Sequence, residues 1–158
     1  MCVLRHKTLT LDDAMRVINA VIDHAKKSNH VGIATVVVNK EGEIIASAKM
    51  DGRVPRFYKA AVRKAYSAAK FERDTSAIIE LHAENEAKGQ RGPYDWNDPM
   101  VSTLPGGYVV VDKDENVLGA ISVAGGTGGE FSDWNFVKIG FATLGDEYHH
   151  RPGEHGEH

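Results

Sequence analysis

Residues 31–50 read VGIATVVVNKEGEIIASAKM, and this stretch decides the fold. Val31 to Val38 is small or β-branched and apolar on both alternating faces, the pattern of a central strand covered on both sides. Asn39-Lys40-Glu41-Gly42 has the chemistry of a hairpin loop. Glu43 to Met50 then places Ile44, Ala46, Ala48 and Met50 on one face, so two antiparallel strands, 31–38 and 43–50, are expected.

Working outward, Thr10 is a helix N-cap with Asp13 three residues on, an approximate capping box. Leu11, Ala14, Met15, Ile18, Val21, Ile22 and Ala25 then form one stripe at about 100° per residue. A helix over 11–27 follows, broken by Ser28-Asn29-His30. Beyond the hairpin, Asp51-Gly52 turns the chain and Pro55 precedes a helix over 57–72, whose Ala61, Ala65, Ala68 and Ala69 permit close packing on a sheet. Asp74-Thr75-Ser76 caps a third helix running to about Lys88, which Gly89 ends. Residues 89–106 are turn-rich and read as an irregular loop.

Strand patterns return at 107–111 and 117–123, with the polar hairpin Asp112 to Asn116 between them. A glycine loop at 125–129 leads into a final helix over 131–144. Trp134, Val137 and Phe141 share one face of that helix, while Phe136 and Ile139 point roughly the other way. A second apolar stripe implies a partner subunit. No repeat or linker divides the chain, so one domain over 1–148 is expected, followed by a flexible His-rich tail, 149–158.

A chain of 158 residues buries about two-thirds of the surface it exposes when unfolded. Its 42% hydrophobic and 26% charged residues exclude disorder. A net charge of −3 offers no field for a phosphate backbone, so nucleic acid is not an expected partner. The single cysteine, Cys2, fits a reducing compartment. Met1 to Lys7 shows no apolar signal core, and no apolar run is long enough to span a membrane. A cytoplasmic location and no membrane partner are therefore expected.

Several short words recur in a recognisable order. Leu9-Thr10-Leu11 opens the first helix, and Met50-Asp51-Gly52 follows the first hairpin. Lys64-Ala65 lies in the second helix, and Leu104-Pro105-Gly106-Gly107 precedes the third strand. Gly119-Ala120-Ile121-Ser122-Val123 runs into Gly125-Gly126-Thr127-Gly128. In this order and spacing they resemble the GlcG/HbpS family, which includes the C-terminal domain of PduO-type corrinoid adenosyltransferases, over about residues 8–144. The resemblance implies an α+β, profilin-like fold: a five-stranded, mostly antiparallel sheet with helices packed on it, the fifth strand falling in 100–106. It also implies self-association as a dimer, tetramer or octamer. The ligand-binding candidates are Met50, Asp51, Gly52, Arg53, Lys64, Pro105, Gly106, Gly107, Gly125, Gly126, Thr127 and Gly128, all but Arg53 in the words that carry the resemblance. Some members bind haem, one is an accessory domain of a corrinoid enzyme, and many have no assigned activity. Arg53 stands where the family often has a small residue, and the 89–100 loop with Tyr94 and Trp96 is unusual.

The glycine loop ahead of a helix can aim backbone N–H groups at a carboxylate or phosphate, although it matches no Walker or dinucleotide fingerprint. Arg53 can add a bidentate contact to the same anion. Lys64 is alternatively a solvated helix charge. Among His6, His24, His30 and His82, the first choice for a haem axial ligand is His24, roughly 120° from the centre of its helix's apolar stripe. His82, with Glu80 and Glu84 nearby, is the second, and Tyr94 and Trp96 can wall a planar ligand. His149, His150, His155 and His158 with Glu154 and Glu157 have no fixed frame, so no metal site is expected. No Cys-His pair or Gly-x-Ser-x-Gly elbow appears. Three readings stay open: a haem- or tetrapyrrole-binding homo-oligomer, an enzyme acting on a small carboxylate or hydroxy acid, and an accessory subunit. The enzyme would bind its anion with the glycine loop and Arg53 and use Asp51 or His24 as general acid–base.

Overall fold

The computed structural model describes residues 7–157; Cys2, His6 and His158 lie outside the described residues. The chain runs α1 (Leu11–Lys27), β1 (Ala34–Asn39), β2 (Ile44–Lys49), α2 (Pro55–Phe71), α3 (Thr75–Ala87), a short 3-10 turn (Gly92–Tyr94), β3 (Gly107–Val111), β4 (Val117–Ala124) and α4 (Asp133–Ala142). This is an α+β fold with four helices on an antiparallel sheet of order β2-β1-β4-β3. Among the described residues no helix is long and apolar enough to cross a membrane.

The fully apolar reading of the first strand is explained by its place. β1 lies inside the sheet, and its residues Ala34 to Val38 are all buried. Alternation sends Val37 with Ile121, Val123 and Val110 into a core under α1 and α4. Ala34, Val36 and Val38 with Ala120 and Ala124 meet the alanine face of α2 on the opposite side. Small residues there let the helix backbone approach closely enough for Ser122 Oγ to donate to the Ala61 carbonyl. The capping box on α1 is complete, with the Thr10 and Asp13 side chains each accepting from the other's backbone N–H.

The sheet has four strands where five were expected. Residues 100–106 form no strand because their amides are taken by side chains as the segment crosses α2. Met100 N–H donates to Asp98 Oδ1, Ser102 N–H to Ser67 Oγ, and Leu104 N–H to Ser102 Oγ. Of the two apolar stripes of α4, the second is covered at Phe136 but only half-buried at Ile139. Phe136 is 1% exposed against α1, and Phe141 stacks edge-on with Tyr108 and His150. The chain's own packing thus accounts for Phe136 of that stripe.

The C-terminal residues also depart from the expected mobile tail. His149 pairs with Val111 through two backbone hydrogen bonds of 2.9 Å. His150 stacks on Tyr108 at a centroid distance of 4.0 Å and bonds through Nδ1 to Asp74, whose side chain is fully buried. Asp74 also accepts from Val109 N–H (3.0 Å) and Arg151 N–H (3.2 Å). Beyond it, Glu80 receives the N–H groups of Glu154 and His155 at 2.7 Å each. Composition alone marks this segment as polar; two carboxylates on the third helix and its cap hold it down. Asp74→Ala leaves these buried donors without an acceptor and should lower unfolding stability by about 3 kcal/mol in urea titration, with the slope unchanged. A loss under 0.5 kcal/mol would contradict the strap's role.

Candidate functional site

The C-terminal end of β4 and the middle of α2 meet at a buried ion pair. Lys64 is 3% exposed, and its Nζ donates to Asp133 Oδ2 and to the Val123 carbonyl, both at 2.9 Å. Asp133 opens α4, and its Oδ1 accepts from Gly126 N–H at 2.7 Å. Burial pushes the ammonium below its ordinary pKa, while Asp133 pulls it back up. No side chain fits between these groups. A Cβ on Gly106 would meet Asp133 Cβ and the Val123 carbonyl at 2.7 Å, and one on Gly126 would meet Phe131 O at 2.6 Å. The glycines on either side are there for close approach to the pair.

Beside the pair opens a cleft of about 820 Å³ between α2, the 101–105 segment, the 3-10 turn and the start of the glycine loop. Arg56, Lys59 and Arg63 are exposed on its α2 side, and Lys64 and Asp133 lie at its floor. Tyr94, 83% exposed, and Leu104, 51% exposed, stand at the opposite wall. The 101–105 wall is tied to α2 by the Ser102–Ser67 bond and by Tyr66, whose hydroxyl donates to Asp98 at 2.7 Å. His82 also lines the cleft. Its Nδ1 is buried with no hydrogen-bond partner and presses on Gly92, where a Cβ would lie only 2.1 Å from it. Gly92 holds φ +59°, so glycine meets both the steric and the backbone demand there.

The structure sorts the residues expected from sequence. Lys64, Pro105, Gly125 and Gly126 line the cleft, with Gly106 and Gly107 packed behind Lys64. Arg53 has its guanidinium on backbone carbonyls: Nε donates to Gly32 O and Nη2 to Gly125 O, each at 2.9 Å. It therefore braces the glycine loop and does not present a free fork to an anion. The loop amides are likewise engaged internally, Gly126 on Asp133 and Thr127 on the Phe131 carbonyl at 2.9 Å. Met50 lies behind Arg53, Asp51 and Gly52 sit in an exposed turn, and Gly128 is exposed. Thr127 turns away to His30, whose Nε2 lies 3.2 Å from its hydroxyl while Nδ1 accepts from Gly32 N–H. His24 is on α1, across the sheet from the cleft, edge-on to Phe136 at 5.8 Å.

Sequence reasoning missed Asp133, which reads locally as an ordinary first-turn acid, and the cations Arg56, Lys59 and Arg63. Their only signal was a positive spacing along one side of a helix that otherwise looks solvated.

The class is a four-stranded α+β domain with a cation-rimmed cleft over a buried lysine. The family described as "Haem degrading protein HbpS-like" matches residues 9–136, and the chain belongs to it. A double mutant of Streptomyces reticuli HbpS is 28% identical, with 91% of this chain and 92% of that one covered and a TM-score of 0.76. Klebsiella pneumoniae ORFY is 24% identical over 90% of this chain and 94% of its own, with a TM-score of 0.73. PduOC, solved as a heme complex, is 18% identical over 91% of this chain and 99% of its own, with a TM-score of 0.73. No curated protein matches this chain significantly.

Two predictions follow from the geometry. Lys64→Met strands Asp133 at the cleft floor and should cost about 3–5 kcal/mol in chemical denaturation; a neutral result would contradict the pair's structural role. His30 sits below its ordinary pKa of 6.5, chiefly through desolvation and then through the Arg53 charge. The fold uses its neutral ring, so this anchor is fully present above pH 6.5 and is lost as pH falls through the depressed value. An NMR titration of the His30 ring should give a midpoint below 6.5; a midpoint above it would overturn the assignment.

Proposed function

We propose that this chain binds a planar anionic ligand, haem or another tetrapyrrole, in the cleft over Lys64, and does so as a homo-oligomer. The observation that carries the reading is the cleft's pairing of cations with exposed apolar walls. Arg56, Lys59 and Arg63 suit the carboxylates of such a ligand, and Tyr94 and Leu104 suit its ring faces. The volume of about 820 Å³ falls within the range of small-molecule sites. Lys64 Nζ places two of its three protons on protein oxygens, leaving the third for a ligand oxygen. Membership of the HbpS-like family and the heme held by PduOC support the choice of haem.

His82 is the histidine on the cleft wall and tests the fit to haem. Its Nδ1 is buried without a hydrogen-bond partner, and it is the one cleft-lining histidine among the described residues. The cations of α2 and the Tyr94 and Leu104 wall suit the periphery of a tetrapyrrole, and His82 is the side chain there that could hold its iron.

A second reading is an enzyme acting on a small carboxylate, favoured by the desolvated Lys64 beside Asp133 at the floor of an open cleft. In that case Lys64 positions the substrate oxygen and Asp133 keeps the ammonium charged. Arg53 and Asp51 have no part in it.

Hemin titration followed by absorbance separates these readings. Wild type should shift the Soret band, the double reversal Arg56→Glu/Arg63→Glu should weaken binding about tenfold or more, and His24→Ala should change nothing. No spectral shift in wild type would remove the haem reading. Loss of binding in His24→Ala with the double reversal unaffected would move the site to the α1 face.

A further inference from the structure

We infer that the Lys64 amine forms an imine with the carbonyl group of an anionic aldehyde or ketone bound in the cleft. The inference rests on the enzyme reading, which it deepens by making Lys64 the nucleophile of that site, and it requires no haem.

Among the described residues Lys64 is the one buried lysine, yet it lines an open cleft. Two of its N–H groups point at Asp133 Oδ2 and the Val123 carbonyl, and the third position has no protein acceptor. Gly106 crowds the nitrogen from behind, where an added Cβ would lie 3.3 Å from Nζ, so the open approach is through the cleft. Burial favours the free amine that attack on a carbonyl requires, and Asp133 opposes it. A pair that only clamps the fold does not require an amine here, because replacing both partners of a buried pair by apolar groups is often neutral or stabilising. A desolvated lysine beside a carboxylate at the floor of a cleft is what nucleophilic chemistry needs.

The rim selects the rest of the reactant. Arg56, Lys59 and Arg63 follow one another at three and four residues, so they form one stripe on α2. All three are exposed, and among the described residues none has a salt-bridge partner. Arg56 stacks over Phe57 at 4.5 Å from the ring centroid, which holds its guanidinium at the rim. A carboxylate or phosphate suits this stripe, and Tyr94 and Leu104 suit the apolar body of the same molecule. Anchored in that way, a carbonyl compound faces the one amine at the cleft floor.

The step conserves charge. The ammonium gives one proton to solvent, and its nitrogen pair forms the C–N bond as the carbonyl π pair moves onto oxygen. That oxygen takes one proton from nitrogen, relayed by Asp133, and one from solvent. It leaves as water while the nitrogen pair completes the C=N bond. The iminium keeps one N–H and the positive charge, so it still pairs with Asp133, and only the Val123 carbonyl loses its donor.

Pyridoxal 5′-phosphate, an anionic aldehyde, is the probe for the full chain, with borohydride to reduce any imine and peptide mapping by mass spectrometry to place it. With the reagent below the chain concentration, Lys64 should carry about tenfold more label than the exposed Lys113. Arg56→Glu/Arg63→Glu should lower labelling of Lys64 about tenfold with this probe, and much less with pyridoxal, which lacks the phosphate. Pyridoxine 5′-phosphate has the phosphate but no carbonyl, so its equilibrium dialysis reads anion binding alone. Binding of that analogue with Lys64 unlabelled by the aldehyde would overturn the imine and leave the anion-binding cleft standing. Label confined to exposed lysines, with no binding of the analogue, would overturn both. Neither result bears on the hemin titration.

Discussion

A lysine ammonium taken out of water organises this molecule. Lys64 is carried on α2, its charge is met by Asp133 at the start of α4, and its second contact is a carbonyl of β4. Because an unpaired charge at that depth costs several kcal/mol, the three elements must arrive together. α2 lies on one face of the sheet and α4 on the other, so the pair reaches round the end of β4 and clamps both layers to it. The second carboxylate oxygen of Asp133 holds the glycine loop by the Gly126 amide, and Arg53 holds the same loop by the Gly125 carbonyl. The loop is therefore rigid scaffolding, and the cleft in front of it inherits that rigidity.

This changes what the glycines mean. In the sequence, Gly106-Gly107 and Gly125-Gly126 look like ligand-facing backbone. In the structure a Cβ at Gly106, Gly107 or Gly126 would strike Asp133, Val123, Thr75 or the Phe131 carbonyl, and one at Gly125 would crowd the Gly32 carbonyl. In the proposed binding mode the ligand-facing groups are side chains, the cations of α2 and the aromatic and aliphatic wall opposite, so that mode predicts binding weakened by salt.

Much of the fold was legible because it is local. The Thr10/Asp13 box, the apolar run of β1 and the turn residues of both hairpins each act within a few positions. What was not legible acts at a distance. Lys64 and Asp133 are 69 positions apart, and Asp74 meets His150 at 76. Neither pairing leaves a periodic trace. Amides of 100–104 that bond to Ser67, Asp98 and Ser102 look in the sequence like amides free to make a strand, and the absent fifth strand follows from that. Leu11 and Met15 belong to a real amphipathic stripe, yet a stripe shows only which residues avoid water, not whether the same chain covers them. His24 illustrates the same limit: its place on α1 follows from periodicity, but periodicity does not tell which side of the sheet α1 takes, and α1 lies across the sheet from the cleft.

The account stands or falls on where a tetrapyrrole touches the protein. A diamagnetic gallium protoporphyrin titrated into 15N-labelled chain, followed by amide chemical shifts, reads this directly. The account predicts perturbations at Ser102, Thr103, Gly126 and the His82 to Tyr94 wall, with α1 unmoved. Perturbations confined to α1 around His24, or none at saturating porphyrin, would contradict it.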